Sequence, residues 1–301
     1  MVFQKEGDIM HKYMRTIGFS QYTSRQDLDK LLKKLVKDAS KSDILKESDG
    51  EMFCELRAQT APGMGVAIAG HLSQRGIFKQ EYYFPYVESS QVTSTADCSI
   101  QRHTERETFA GLLDEYRVGI SLIFYMENSM EYRLRLKNSQ PVLPKSASLS
   151  ALSIHGKILL PVQKTPQQTE DRKKAASKRS RLIEAAKRGD EEAIETLTVE
   201  DIDLFSSVSR RVAREDIYSI IDTCFMPSGI ECDQYSVIGN ILSVDRRINR
   251  ITGEEIFLLG LECNDLLFTA AINAADLLGE PVPGRRFKGQ VWIQGNVCFE
   301  A

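Results

Sequence analysis

Pro283-Gly-Arg-Arg-Phe-Lys-Gly-Gln-Val-Trp-Ile-Gln-Gly-Asn-Val-Cys-Phe299 is the stretch whose reading decides the fold. A β-strand repeats every two residues, so alternate side chains share a face. Phe287, Gly289, Val291, Ile293, Gly295, Val297 and Phe299 fall together on a face that is almost wholly apolar. Arg286, Lys288, Gln290, Trp292, Gln294, Asn296 and Cys298 fall on the other. The first face predicts a core. The second predicts a displayed surface on which the only tryptophan of the chain is flanked by cations and amides. A strand this long does not stay straight, and Gly289 and Gly295 are the natural places for a bend or bulge.

The residues before it supply the rest of a sheet. Tyr235 to Asp245 reads as a strand, and residues 246–253 as a turn with a charged lip. Glu255 to Cys263 is apolar on both faces, as in a buried central strand. Asn264-Asp265 signals a tight turn into Leu266 to Ile272, and Ala274 to Leu278 reads as a short helical connection. This meander predicts a small β-barrel over residues 229–301, OB-like or SH3-like, one strand short of a full count.

Farther back, Ser24 and Asp27 open a helix with Leu28, Leu31, Leu32, Leu35 and Val36 on one face. Strands follow over 53–60, 65–72 and 78–87, then an extended segment from Cys98 and a short helix over 107–115. Val118 to Met126 and Glu131 to Lys137 read as a hairpin, residues 138–150 as a loop, and 152–162 as one or two short strands. Residues 10–162 therefore predict an antiparallel sheet covered by a helix. Residues 163–228 predict a helical connector holding a basic helix over 171–188, a short helix over 191–197, one marked by Ile202 to Val212, and another from Ile217 to Phe225. The expected fold class is α+β, with three parts in series.

Composition narrows the function classes. A net charge of −3 gives no global attraction to nucleic acid or anionic membranes, so polyanion binding would need a local patch. No apolar run reaches the length of a membrane span or a signal peptide, which predicts a cytoplasmic protein without a membrane partner. Met10 reads as an alternative start, since the organised sequence begins at His11. The six cysteines are scattered without a C-x-x-C pair, arguing against a disulfide framework or a structural zinc. Phosphate-loop, dinucleotide-loop, nucleophile-elbow and kinase signatures are missing from the sequence. No cofactor and no metal are expected.

HKYMRTIGFS (11–20), APGMGVAIAG (61–70), KQEYYFPYV (79–87), SIQRHTERETFAG (99–111), LIEAAKRGDEEAIETLTVEDID (182–203), ECDQYSVIGNI (231–241), ECNDLLF (262–268) and GRRFKGQVWIQGNV (284–297) together have a familiar form. With them the chain resembles a Firmicutes (Clostridia-type) family defined only as a domain of unknown function. The resemblance runs from about His11 to Phe299 and leaves residues 1–9 outside. It implies one integrated unit. It brings no activity, cofactor or catalytic residue.

Three constellations carry chemistry. Extended backbone over 102–107 points His103, Glu105 and Glu107 the same way, as for a metal or proton-transfer site; the alternative is a charged edge strand. The acids from Asp190 to Asp203 suit helix starts, and the basic helix suits a phosphate, a partner's acidic surface or the acidic segment after it. Arg285, Arg286, Lys288, Trp292 and Gln294 match the cation-plus-aromatic platform that holds single-stranded nucleic acid or a phosphorylated ligand. The alternative is packing of Trp292 against the helical connector or a second subunit. These readings point to a non-catalytic binding, scaffolding or self-associating module, with a protein partner or a homo-oligomer. Nucleic-acid or phosphorylated-ligand binding and an enzyme centred on His103 stand as alternatives.

Overall fold

The computed structural model describes residues 10–47, 50–89, 91–102, 108–115, 117–162, 166–212, 214–230 and 232–300. It is a mixed α/β structure with two sheets. The smaller is an antiparallel meander of β1 (Lys41–Lys46), β2 (Met52–Ala61), β3 (Met64–Leu72) and β4 (Phe78–Val87). Helix α1 (Arg25–Lys37) lies against β2 and β3. Its first turn is held by the Ser24 hydroxyl, which accepts the Asp27 amide, and Leu28, Leu31, Leu32 and Leu35 are its buried side, as their spacing predicts.

Among the described residues the larger sheet has ten strands. One wing is β5 (Cys98–Arg102), β6 (Phe109–Glu115) and β7 (Ile120–Met126). The remainder is β8 (Pro144–Leu159), β9 (Cys224–Pro227), β10 (Gln234–Ile248), β11 (Glu255–Cys263), β12 (Leu266–Asn273), β13 (Leu277–Leu278) and β14 (Arg286–Phe299). The meander β10–β11–β12 is present as the sequence predicts, with β14 antiparallel to β10. These strands do not close on themselves. β8 runs parallel to β12 on one side and antiparallel along β14 on the other. The pairing circuit β8–β12–β11–β10–β14 thus takes its fifth strand from residues 144–159, in the part assigned to the N-terminal sheet.

Several segments depart from expectation, each for a visible reason. The segment expected as a helix over 107–115 contains β6, paired on both sides, and its Gly111 sits so close to the Phe124 ring that a Cβ would come within 2.1 Å. Non-local pairing overrides local propensity there. The expected second hairpin limb is helix α2 (Ser129–Lys137), built of good helix formers and braced by Arg135 on Glu131 at 3.1 Å. Its buried residues are Ser129, Met130 and Arg133, not the Tyr132, Leu134 and Leu136 of a strand reading. Beyond β8 come α3 (Pro166–Lys187) and α4 (Glu191–Val212), the latter one helix where two were expected. The last expected helix is only α5 (Ile217–Ile220), followed by β9. Among the described residues no helix is long and apolar enough to cross a membrane.

β14 separates two cores. Its apolar side, including Phe287, Val291, Ile293 and Val297, is buried with Leu259, Phe268 and Phe124. Its other side reaches the core formed by α1, the smaller sheet and the turn Lys12–Ile17. The register shift between Gly289 and Val291 is the predicted bulge; at Gly295 the pairing stays regular. Gly295 serves close packing instead, since a Cβ would meet Leu149 Cδ2 at 2.7 Å and the Phe124 ring at 2.9 Å. Gly295→Ala is therefore expected to lower stability by about 1–3 kcal/mol in urea unfolding, through overpacking.

Candidate functional site

The reverse face of β14 is interior where the sequence predicts display. Trp292 is 2% exposed. Its indole stacks on Tyr13 (centroids 5.2 Å apart), touches His11 at 4.9 Å and Tyr125 at 5.3 Å, and donates Nε1–H to Asp233 Oδ2 at 2.8 Å. Burial lowers the His11 pKa to about 4, so that imidazole is neutral near pH 7. Gln294, also fully buried, donates to the Pro85 carbonyl at 2.7 Å. The packing alternative therefore describes Trp292, but its partners are the N-terminal turn and β7 rather than the helical connector.

The cations next along the strand meet the end of that connector. Arg286, 3% exposed, donates to the carbonyls of Leu160, Tyr218, Ile221 and Asp222. Lys288 donates to the Tyr218 hydroxyl and lies over its ring, 4.4 Å from the centroid. Arg285 donates to the Glu280 carbonyl at 2.9 Å. A hollow of about 550 Å³ opens beside Arg286, with Lys157, Asp216 and Tyr218 in its wall. Lys157 stands opposite Lys288 in the register of β8 and β14.

A second constellation lies where the smaller sheet meets α2, β8 and β14. Glu55 and Arg57 share one face of β2, two residues apart, and Arg57 Nε donates to Glu55 Oε1 at 2.9 Å. Arg57 also donates to the main-chain carbonyl of Glu127 at 2.5 Å and lies over the Tyr86 ring at 4.9 Å. The Glu127 carboxylate is fully buried, accepting from Ser150 Oγ at 2.9 Å and Asn296 Nδ2 at 3.3 Å. Burial raises its pKa to about 7, against the pull of Arg57 and the two hydrogen bonds. Burial raises that of Glu55 too, against the same guanidinium.

These groups stand at a cleft of about 380 Å³, walled by Lys41, Asp43, Glu55, Arg57, Glu88, Ser89, Asn128, Glu131, Ser148 and Asn296 among others. Two buried atoms in that wall, Glu55 Oε2 and Ser89 Oγ, have no hydrogen-bond partner among the described residues. Buried polar atoms are usually satisfied, so this pair leaves unused acceptor capacity in the wall. Among the described residues no three His, Cys, Asp or Glu side chains converge as a metal site.

His103, Glu105 and Glu107 lie outside the described residues. The basic helix α3 meets the acidic segment that follows it: Lys178 pairs with Glu200 at 2.7 Å and Arg179 with Asp201 at 2.9 Å. Asp190 Oδ1 accepts the Ala193 amide at the start of α4, as helix capping predicts. Sequence reasoning passed over Glu55, Arg57 and Glu127. The available signal was a Glu and an Arg in alternate positions of an otherwise apolar-leaning strand, a costly arrangement unless both face one buried site.

No curated protein and no solved structure matches the chain. One family profile does, over residues 14–295, under the description "Domain of unknown function, E. rectale Gene description (DUF3881)". That match spans nearly all of the chain, and the protein belongs to this family.

Proposed function

We propose that the protein is a non-catalytic binding module whose small polar ligand occupies the cleft between β2, α2 and β14. The observation that supports this most is the pair of buried, unpartnered atoms Glu55 Oε2 and Ser89 Oγ in the wall of a roomy cavity. A concave site with a few convergent polar groups and a perturbed carboxyl is the usual form of a ligand pocket. Binding is favoured over catalysis because Glu127, the group poised near neutrality, sits behind the wall on Ser150 and Asn296 and does not line the cleft. In this reading the five-strand circuit is a small OB-like barrel that serves as scaffold. The module works in the cytoplasm, which its six free cysteines support.

Ser148→Phe would fill the cleft from β8 while leaving both members of the Arg57–Glu55 pair unsubstituted. Compounds from a screen of small polar molecules that raise the melting temperature of the protein are expected to lose that effect in this variant. Stabilisation that survives would place the ligand elsewhere. The hollow beside Arg286 supports a second reading, a phosphorylated ligand or single-stranded nucleic acid held by Arg285, Arg286 and Lys288 with Trp292 and Gln294 farther along the strand, because Lys157 and Arg286 line it and Lys288 is paired with Lys157 in the strand register.

A further inference from the structure

We propose that the cleft takes a small organic cation bearing N–H donors, an ammonium or a guanidinium; this rests on reading the cleft as the binding site. The charges of the wall divide unequally once their partners are assigned. Both cations are engaged, Lys41 with Asp43 at 3.3 Å and Arg57 with Glu55 at 2.9 Å. Glu131 is held by Arg135 at 3.1 Å. Among the described residues Glu88 forms no ion pair, and Glu55 keeps one buried oxygen without a donor.

What remains is negative charge and acceptor capacity. Glu55 is 2% exposed, and its Oε2 has no hydrogen-bond donor among the described residues. Ser89 Oγ adds a second acceptor, and its hydroxyl can turn to suit. The positive end of α2 also faces this wall through Asn128 and Met130, and it is answered by Glu131 in the first turn of that helix. A bare metal ion does not fit: among the described residues no three acidic, His or Cys groups lie close enough to hold one. A cleft of about 380 Å³ suits a molecule of several heavy atoms, whose N–H groups would reach Glu55 Oε2 and Glu88 together.

The test is thermal unfolding of the full chain with millimolar putrescine or agmatine, each against tetramethylammonium chloride at equal ionic strength. Tetramethylammonium has the charge without the donors. At saturation the amines are expected to raise the melting temperature by roughly 3–8 °C. Glu88→Gln, an exposed position that does not endanger folding, is expected to weaken the affinity read from the shift about tenfold. Ser148→Phe should abolish it. Equal stabilisation by tetramethylammonium or by magnesium would overturn the proposal, since charge alone would then suffice. So would an undiminished response in Glu88→Gln. If only neutral or anionic compounds stabilise, and Ser148→Phe removes their effect, the cation fails while the binding cleft stands. If nothing gives a response that Ser148→Phe removes, both fail.

Discussion

Arg57→Met is expected to lower stability by about 3–5 kcal/mol, the usual result of removing one partner from a buried charge pair. The guanidinium is 12% exposed at its side chain and Glu55 only 1%. The substitution leaves Glu55 without a counter-charge and the main-chain carbonyl of Glu127 without its donor. The stem of methionine keeps the packing volume, so most of the loss is electrostatic. Urea unfolding of Arg57→Met and of the double variant Arg57→Met/Glu55→Gln separates the terms. The double variant should recover much of the loss, because the orphaned charge is gone. A loss below about 1 kcal/mol in the single variant would mean that the pair is effectively solvated, as surface pairs are.

Glu127→Gln should do the opposite above neutrality. Folding raises this carboxyl from its ordinary value of 4.5 to about 7. Between those values the native state keeps a proton that the unfolded chain has lost, so stability falls as pH rises through the window. Above pH 7 the wild-type protein has lost up to about 3 kcal/mol on this account, and below 4.5 nothing. Glutamine mimics the protonated form, with Ser150 Oγ free to accept from its amide. The variant should match wild type in acid and exceed it at alkaline pH. Glu55 shifts the same way and Glu88 also bears on Glu127, so the informative quantity is the difference between the two stability–pH curves, not either curve alone. A constant difference across the window would show that Glu127 is already ionised in the folded protein well below neutrality.

Much of the fold was legible because it is written in periods. The helical stripe of Leu28, Leu31, Leu32 and Leu35, the strands β2 to β4, the meander β10 to β12 and the apolar side of β14 all follow from spacing. What spacing cannot say is which distant segment covers a polar face. Trp292, Gln294 and Arg286 looked displayed because their tips are polar, yet each tip is satisfied by a group remote in sequence: Asp233, the Pro85 carbonyl and the Tyr218 carbonyl. Strand β8 was hidden for a related reason. Its Ser-rich start resembles a loop, and only the continuous register with β14 makes it a strand. α2 misled because a run of alternating Arg and Leu satisfies a period of two as well as a helix face. The cleft went unread because its members come from β1, β2, the end of β4, α2, β8 and β14.

The closing strand as an internal seam between two cores is the claim on which the rest depends, and the chain's single tryptophan reports on it directly. Intrinsic fluorescence of the native protein, titrated with iodide and then with a single-stranded oligonucleotide, is the measurement. An indole stacked on Tyr13 and bonded to Asp233 should emit to the blue of free tryptophan, resist iodide and ignore the oligonucleotide. Emission like that of an indole in water, quenched freely by iodide and further by the oligonucleotide, would contradict the account and return the reverse face of β14 to the surface.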